Sequence, residues 1–226
     1  MGVPNDEGAP DQHPQHDVRM GTYAIERFEV TNAQYAACAA AGVCAPPVVI
    51  ASLTREDYYT NEEFANFPMI NVEWEEAQTY CRWAGKRLPT EAEWELAARG
   101  STPKAYSWGD EVPDCLKANI FDNPSMSSCV GDTAAVGSYP EGASEFGVMD
   151  MTGNVWEWVA DSYLEDFYSN SPVENPQADT NNQLRTVRGG GWNSNWLAVR
   201  VSSRAFDLSL YRGPDLGFRC AVDWGD

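Results

Sequence analysis

The chain has 226 residues, 43 % of them hydrophobic and 12 % aromatic, which suits one sizeable packed domain and argues against wholesale disorder. Fifteen Lys and Arg against 34 Asp and Glu leave a formal charge of −19, so phosphate backbones and anionic lipid surfaces are repelled and no nucleic-acid partner is expected. No run of about 18 apolar residues occurs, so membrane insertion is not expected either.

In chain order, residues 1–17 are polar and read as a flexible N-terminal arm, and residues 18–226 as a single domain. "TYAIERFEV" alternates like a strand. "TNAQYAACAAAG" reads as a helix with Thr31 as N-cap and Gly42 as its stop, and the prolines of "CAPPVV" forbid its continuation. In "NVEWEEAQTYCRWAGKRLPTEAEWELAARG", Trp74, Ala77, Cys81 and Ala84 share one helical face and Gly85 ends that helix. Thr90 and Glu93 then form a capping box that opens a second helix, closed by Gly100. Beyond it, "RTVRGG", "LAVRVSSR" and "GFRCAV" are strand-like, separated by long stretches of Gly, Pro, Asn, Asp and Ser. So much loop implies pinning by disulfides or metal ions, or a binding role. The pattern is α+β.

Six cysteines, Cys38, Cys44, Cys81, Cys115, Cys129 and Cys220, include two sequence-local pairs and no CxxC spacing. Disulfides and an oxidising location (secreted, periplasmic or cell-surface) follow more readily than a zinc site. Both histidines, His13 and His16, lie in the arm. Ser-His-Asp and Cys-His catalysis, and His-ligated metal sites, therefore require the arm to fold back.

Four segments, "PMINVEWEEAQTYCRWAGKRLPTEAEWELAARG", "YSWGD", "FGVMDMTGNVWEWVAD" and "VRGGGWNSNWLAVRVSSR…LGFRCA", occur in this order, and "FEVTNAQYAAC" precedes them. In this the chain resembles the formylglycine-generating enzyme (sulfatase-modifying factor) family over about residues 8–222. The resemblance implies a variant of the C-type-lectin fold, with two packed helices, small antiparallel sheets and much irregular loop. It implies a Cys81–Cys220 disulfide, which leaves Cys38–Cys44 and Cys115–Cys129 as the remaining pairs. A second crosslink of relatives would fall at about Ala98 and Val201, and both partners are absent.

The resemblance also implies Ca²⁺ at Asp150, Gly153, Val155 and Glu157, an oxygen-only set suited to a hard cation. A second site would use Asn119 and Ile120, with a carbonyl near Val130 and the acid position near Ser128 or Asp132. Catalysis in this family uses two copper(I)-binding cysteines after a glycine pair, as in "GGSWLCHDSYC", to oxidise a substrate cysteine with O₂. Copper(I) prefers soft thiolates. Here Ser194 and Trp196 stand near those positions, in a loop about three residues shorter, so no copper is expected. The expected role is a non-catalytic binding or structural module that uses Trp192, Asn193, Ser194, Asn195, Trp196, Phe206 and Tyr211. Its ligand would be a protein, peptide or glycan, or another copy of itself. The segment also resembles the variable region of retroelement-diversified binding proteins. The alternative is a divergent formylglycine-generating enzyme or related oxygenase, with Trp156, Arg204 and Arg219 in its pocket.

Overall fold

The computed structural model describes all residues except 5, 123 and 226. Its helices are α1 (Asn32–Ala40), α2 (Trp74–Trp83), α3 (Glu91–Arg99) and the short α4 (Phe167–Asn170). Its strands are β1 (Tyr23–Ile25), β2 (Phe121–Asp122), β3 (Ser127–Ser128), β4 (Trp156–Ser162), β5 (Leu184–Arg188), β6 (Ala205–Leu208), β7 (Leu216–Phe218) and β8 (Ala221–Asp223). The helix starts are local chemistry. Thr31 and Gln34, and Thr90 and Glu93, satisfy each other's orphan amides in capping boxes, and Glu73 with Glu76 does the same for α2. Gly85 ends α2 at φ 72°, a conformation that a side chain would strain.

A four-stranded sheet in the order β6-β5-β4-β7 holds the centre. β4–β5 and β5–β6 are antiparallel, whereas β4–β7 is parallel, so the small sheet is mixed. β1 pairs with β8, and β2 with β3. α2 packs on this sheet through reciprocal indole bonds: Trp74 Nε1 donates to the Val159 carbonyl at 2.7 Å, and Trp158 Nε1 to that of Val72 at 3.0 Å. Trp158, Phe218, Leu88, Tyr80 and Cys81 fill the principal core, and all are buried. Ala98 and Val201 share a second cluster with Trp94 and Met151, so apolar packing stands where relatives would carry a crosslink. All six cysteines are paired as Cys38–Cys44, Cys81–Cys220 and Cys115–Cys129. Among the described residues no helix is long and apolar enough to cross a membrane.

Two expectations need correction. Residues 1–17 do not form a free arm: Val3, Asp11 and Gln12 are buried. Gly2 N–H donates to Glu95 Oε1 at 2.9 Å, Arg99 donates to the Gly2 carbonyl, Arg204 to that of Asp11, and Tyr163 OH to the Asp11 carboxylate. The polar composition of the segment suits these bonds to buried side chains, all supplied by residues at least 93 positions away. "LAVRVSSR" is not a strand but a series of turns. Asn195 Oδ1 accepts from the amides of Leu197 and Ala198, the Asn195 carbonyl accepts from Ala198 and Val199, and β6 begins only at Ala205. Val199 and Val201 are apolar and fully buried, but from turns.

Candidate functional site

"RGGGWNSNW" leaves the sheet at the end of β5. Arg188 belongs to the interior: it donates to Glu95 Oε2 at 2.7 Å, to Glu91 Oε1 at 3.3 Å and to the Val201 carbonyl at 2.7 Å, with its side chain fully buried. Arg204 donates to both Glu91 oxygens, and Tyr168 OH reaches Glu91 and Glu95. Burial alone would raise the Glu95 carboxyl, but Arg188 and Arg99 hold it below the usual carboxylate range. Gly189 and Gly190 have φ 94° and 78°, and a Cβ on Gly190 would meet Val199 at 2.5 Å. The glycines therefore serve close packing.

The loop's end is a tight turn. Ser194 N–H donates to the Gly191 carbonyl and Gly191 N–H to Ser194 Oγ, each near 3 Å, and the Ser194 carbonyl accepts from Phe121. Ser194 and Trp192 are buried, with Trp192 N–H bonded to the Asn154 carbonyl. Asn193 donates to Asp215 at 2.9 Å and Asn195 caps the following turn. Of the residues expected to touch a ligand, Asn193, Asn195, Trp196, Phe206 and Tyr211 are exposed, while Trp192 and Ser194 brace the loop from below. Leu197, Leu208 and Leu210 are also exposed and extend the apolar surface. Strand β6 turns Phe206 and Leu208 outward at the sheet edge, and Phe206 lies against Tyr163 at 4.4 Å between ring centroids. Trp156, Phe206, Tyr211, Asp207 and Asp215 line a cleft of about 210 Å³. Burial, with the charge of Asp215, raises the Asp207 carboxyl.

Ser194, whose hydroxyl already accepts a backbone bond, and Trp196 stand near the positions where the family resemblance expects two thiolates, and all six cysteines are paired. His16 packs edge-on to Tyr168, yet among the described residues no group of three or more His, Cys, Asp or Glu gathers to bind a metal. Arg204 and Arg219, possible pocket residues, are both buried in ion pairs; only Trp156 of that trio lines the cleft.

The turn that precedes β4 and the start of that strand carry the acids expected to hold calcium, Asp150 and Glu157. Glu157 is fully buried, and Arg219 clasps it with Nε to Oε2 and Nη2 to Oε1, both at 2.7 Å, while Trp94 Nε1 adds a bond to Oε2. Asp150 has φ 60° and accepts from Gly137 N–H at 2.6 Å. Its charge acts on Glu29, a buried acid of "FEVTN" that no local pattern singled out. Burial first, and Asp150's charge second, push Glu29 well above the usual range; burial raises Asp150 too. Gly153 is required: at φ 88°, a Cβ there would meet the Asn119 carbonyl at 2.5 Å. At the second expected site, Asn119 Oδ1 is buried without a partner. The Ile120 carbonyl already accepts from Cys129, and Asp132 is taken by Ser52, Thr54 and Arg55.

The model of the sulfatase-modifying factor enzyme 1-like domain matches residues 1–224. A formylglycine-generating enzyme of Streptomyces coelicolor is 33 % identical over 99 % of this chain and 86 % of its own length. An inactive C-alpha-formylglycine-generating enzyme 2 of Bos taurus is 34 % identical over 72 % of this chain and 52 % of its own. The solved structure of PvdO from Pseudomonas aeruginosa superposes with a TM-score of 0.81 at 29 % identity, covering 99 % of this chain and 90 % of that one. With its crosslinked core, its GNVWEW turn and its glycine loop each in place, the chain belongs to the sulfatase-modifying factor (formylglycine-generating enzyme) family.

Proposed function

We propose that this protein is a non-catalytic binding or structural module on the sulfatase-modifying factor scaffold. It presents the surface around residues 191–215 to a polypeptide or glycan, or to another copy of itself. One observation carries this reading: the two positions for copper-binding thiols hold Ser194 and Trp196, and every cysteine is already in a disulfide. What remains at the loop is suited to contact. Trp196, Phe206 and Tyr211 stand 37 %, 49 % and 41 % exposed, next to adaptable Asn193 and Asn195. Rigid aromatic rings lose little conformational entropy on binding, which is why such surfaces favour them. Three disulfides fit a non-cytoplasmic location, and within that we place the protein at the cell surface, in the periplasm or outside the cell.

The second reading, a divergent formylglycine generator, draws on the match to the Streptomyces enzyme along nearly the whole chain. Incubation with copper(I), O₂ and a cysteine-containing peptide separates the two. The peptide mass should stay unchanged; appearance of the aldehyde would overturn the binding reading. A positive test compares the native protein with a Trp196→Ala/Phe206→Ala/Tyr211→Ala variant on peptide and glycan arrays, and in sedimentation for self-association. Binding or association lost in the variant is the expected result.

A further inference from the structure

Strand β1 has an open edge. Among the described residues it pairs with β8 alone, and the bonds to that side come from Thr22 and Glu26. Glu26 N–H donates to the Cys220 carbonyl at 2.9 Å, and Trp224 N–H to that of Thr22 at 3.0 Å. Backbone groups alternate along a strand, so the amides and carbonyls of Tyr23, Ile25 and Arg27 face away from β8. Arg27 shows what that side accepts: its carbonyl takes a bond from Met149 N–H at 2.8 Å, as from a neighbouring strand. The segment around Met149 goes no further along the edge. Among the described residues nothing pairs with the outward amides and carbonyls of Tyr23 and Ile25. Beside them lies a groove of about 340 Å³, which Leu96, Ala97, Phe146 and Val148 line together with β1. No charged side chain lines it, and Phe146 stands 58 % exposed. β1 itself carries neither the lysine nor the proline that commonly blunts an edge.

We propose that β1 takes up an extended basic peptide as an added strand. The peptide backbone bonds to Tyr23 and Ile25, and its alternate apolar side chains fill the groove against Leu96 and Phe146. In such sites main-chain bonds supply affinity, and pockets for every second side chain supply selectivity. Side chains alternate across a sheet, so the added strand sets one row over α3. That row continues the one in which Tyr23 OH donates to the Glu93 carbonyl at 2.8 Å and Ile25 packs on the cluster of Trp94 and Ala97. Charge chooses between the polypeptides that could supply the strand. A second copy brings another −19 to this edge, whereas lysines flanking a short apolar segment are attracted to it. Trp196, Phe206 and Tyr211 line no part of the groove, so this inference stands or falls independently of the proposed function.

The test titrates the peptide Lys-Lys-Val-Thr-Val-Thr-Val-Lys-Lys into the full-length protein by calorimetry, with amide hydrogen exchange followed residue by residue. The peptide should bind, and exchange at Tyr23 and Ile25 should slow at least tenfold, while that at Glu26, already bonded, changes little. N-methylation of the Val amides and of the Thr amides blocks opposite edges of the peptide, so the two should differ at least tenfold in affinity. Replacing the lysines by glutamates should weaken binding at least tenfold at low salt. Phe146→Ala alters an exposed side chain, so it should fold and bind the peptide several-fold more weakly. No binding up to millimolar peptide, or binding that leaves Tyr23 and Ile25 exchange unchanged, overturns the proposal. So does protection of those amides that grows with protein concentration in the absence of peptide, which would assign the edge to a second copy.

Discussion

Removing the disulfides pair by pair tests how the loop-rich half is held. Cys81 in α2 and Cys220 after β7 are 139 residues apart, against 14 for Cys115–Cys129 and 6 for Cys38–Cys44. If crosslinks act by restricting the unfolded chain, the entropy relation gives about 5, 3 and 2 kcal/mol for the three. Domain stabilities run to about 5–15 kcal/mol, so loss of Cys81–Cys220 removes much of the total while loss of Cys38–Cys44 is readily tolerated. Cys81 and Cys220 are also fully buried in the principal core, so a reductant reaches them only through unfolding; Cys115 is exposed. The assay is urea denaturation of three paired Cys→Ala variants, with timed alkylation of the native protein under mild reductant. Stability should fall in the order of loop length, and Cys115 and Cys129 should be labelled first. A Cys81/Cys220 variant as stable as the Cys38/Cys44 variant would refute the argument.

Side chains of the glycine loop should separate into two classes. Trp192→Ala should cost about 3 kcal/mol or more because it empties a buried site, whereas Trp196→Ala should change stability by roughly 0.5 kcal/mol or less in thermal denaturation. Arg188→Ala takes one guanidinium from the buried acids Glu91 and Glu95, which keep Arg204 and Arg99, and should cost about 3 kcal/mol by urea titration; Arg188→Met with Glu95→Gln should recover part of it. Burial, and then the charge of Glu91, push Asp161 up to about 8. An acid raised on folding binds more protons folded than unfolded, so its contribution to stability falls as pH rises from about 4 to about 8. Tm measured across that window should decline less steeply in Asp161→Asn.

What could be read from sequence was local. Thr31, Thr90, Gly85 and Gly100 announce their helix ends because caps and left-handed turns depend on a few adjacent residues. Strand β4 was hidden inside "NVWEWVAD", since a strand flanked on both edges carries no clean alternation: five of its seven residues are buried. The docking of residues 1–17 depends on Glu95, Arg99, Tyr163 and Arg204, partners no window of the segment contains.

The first residues of the glycine loop serve the interior. Arg188 neutralises Glu91 and Glu95, Gly189 lies against Trp94, and Gly190 admits Val199. Each is required by the interior. The positions where the family resemblance expects two thiols lie at or just after a turn closed by Gly191–Ser194 bonds. Asn193 and Trp196 are exposed on a loop braced beneath them, so substitution there alters the surface and leaves the fold in place, whereas Asn195 also caps the next turn. Substituting Arg188 or Gly190 would do the reverse: it would damage the fold before it changed recognition.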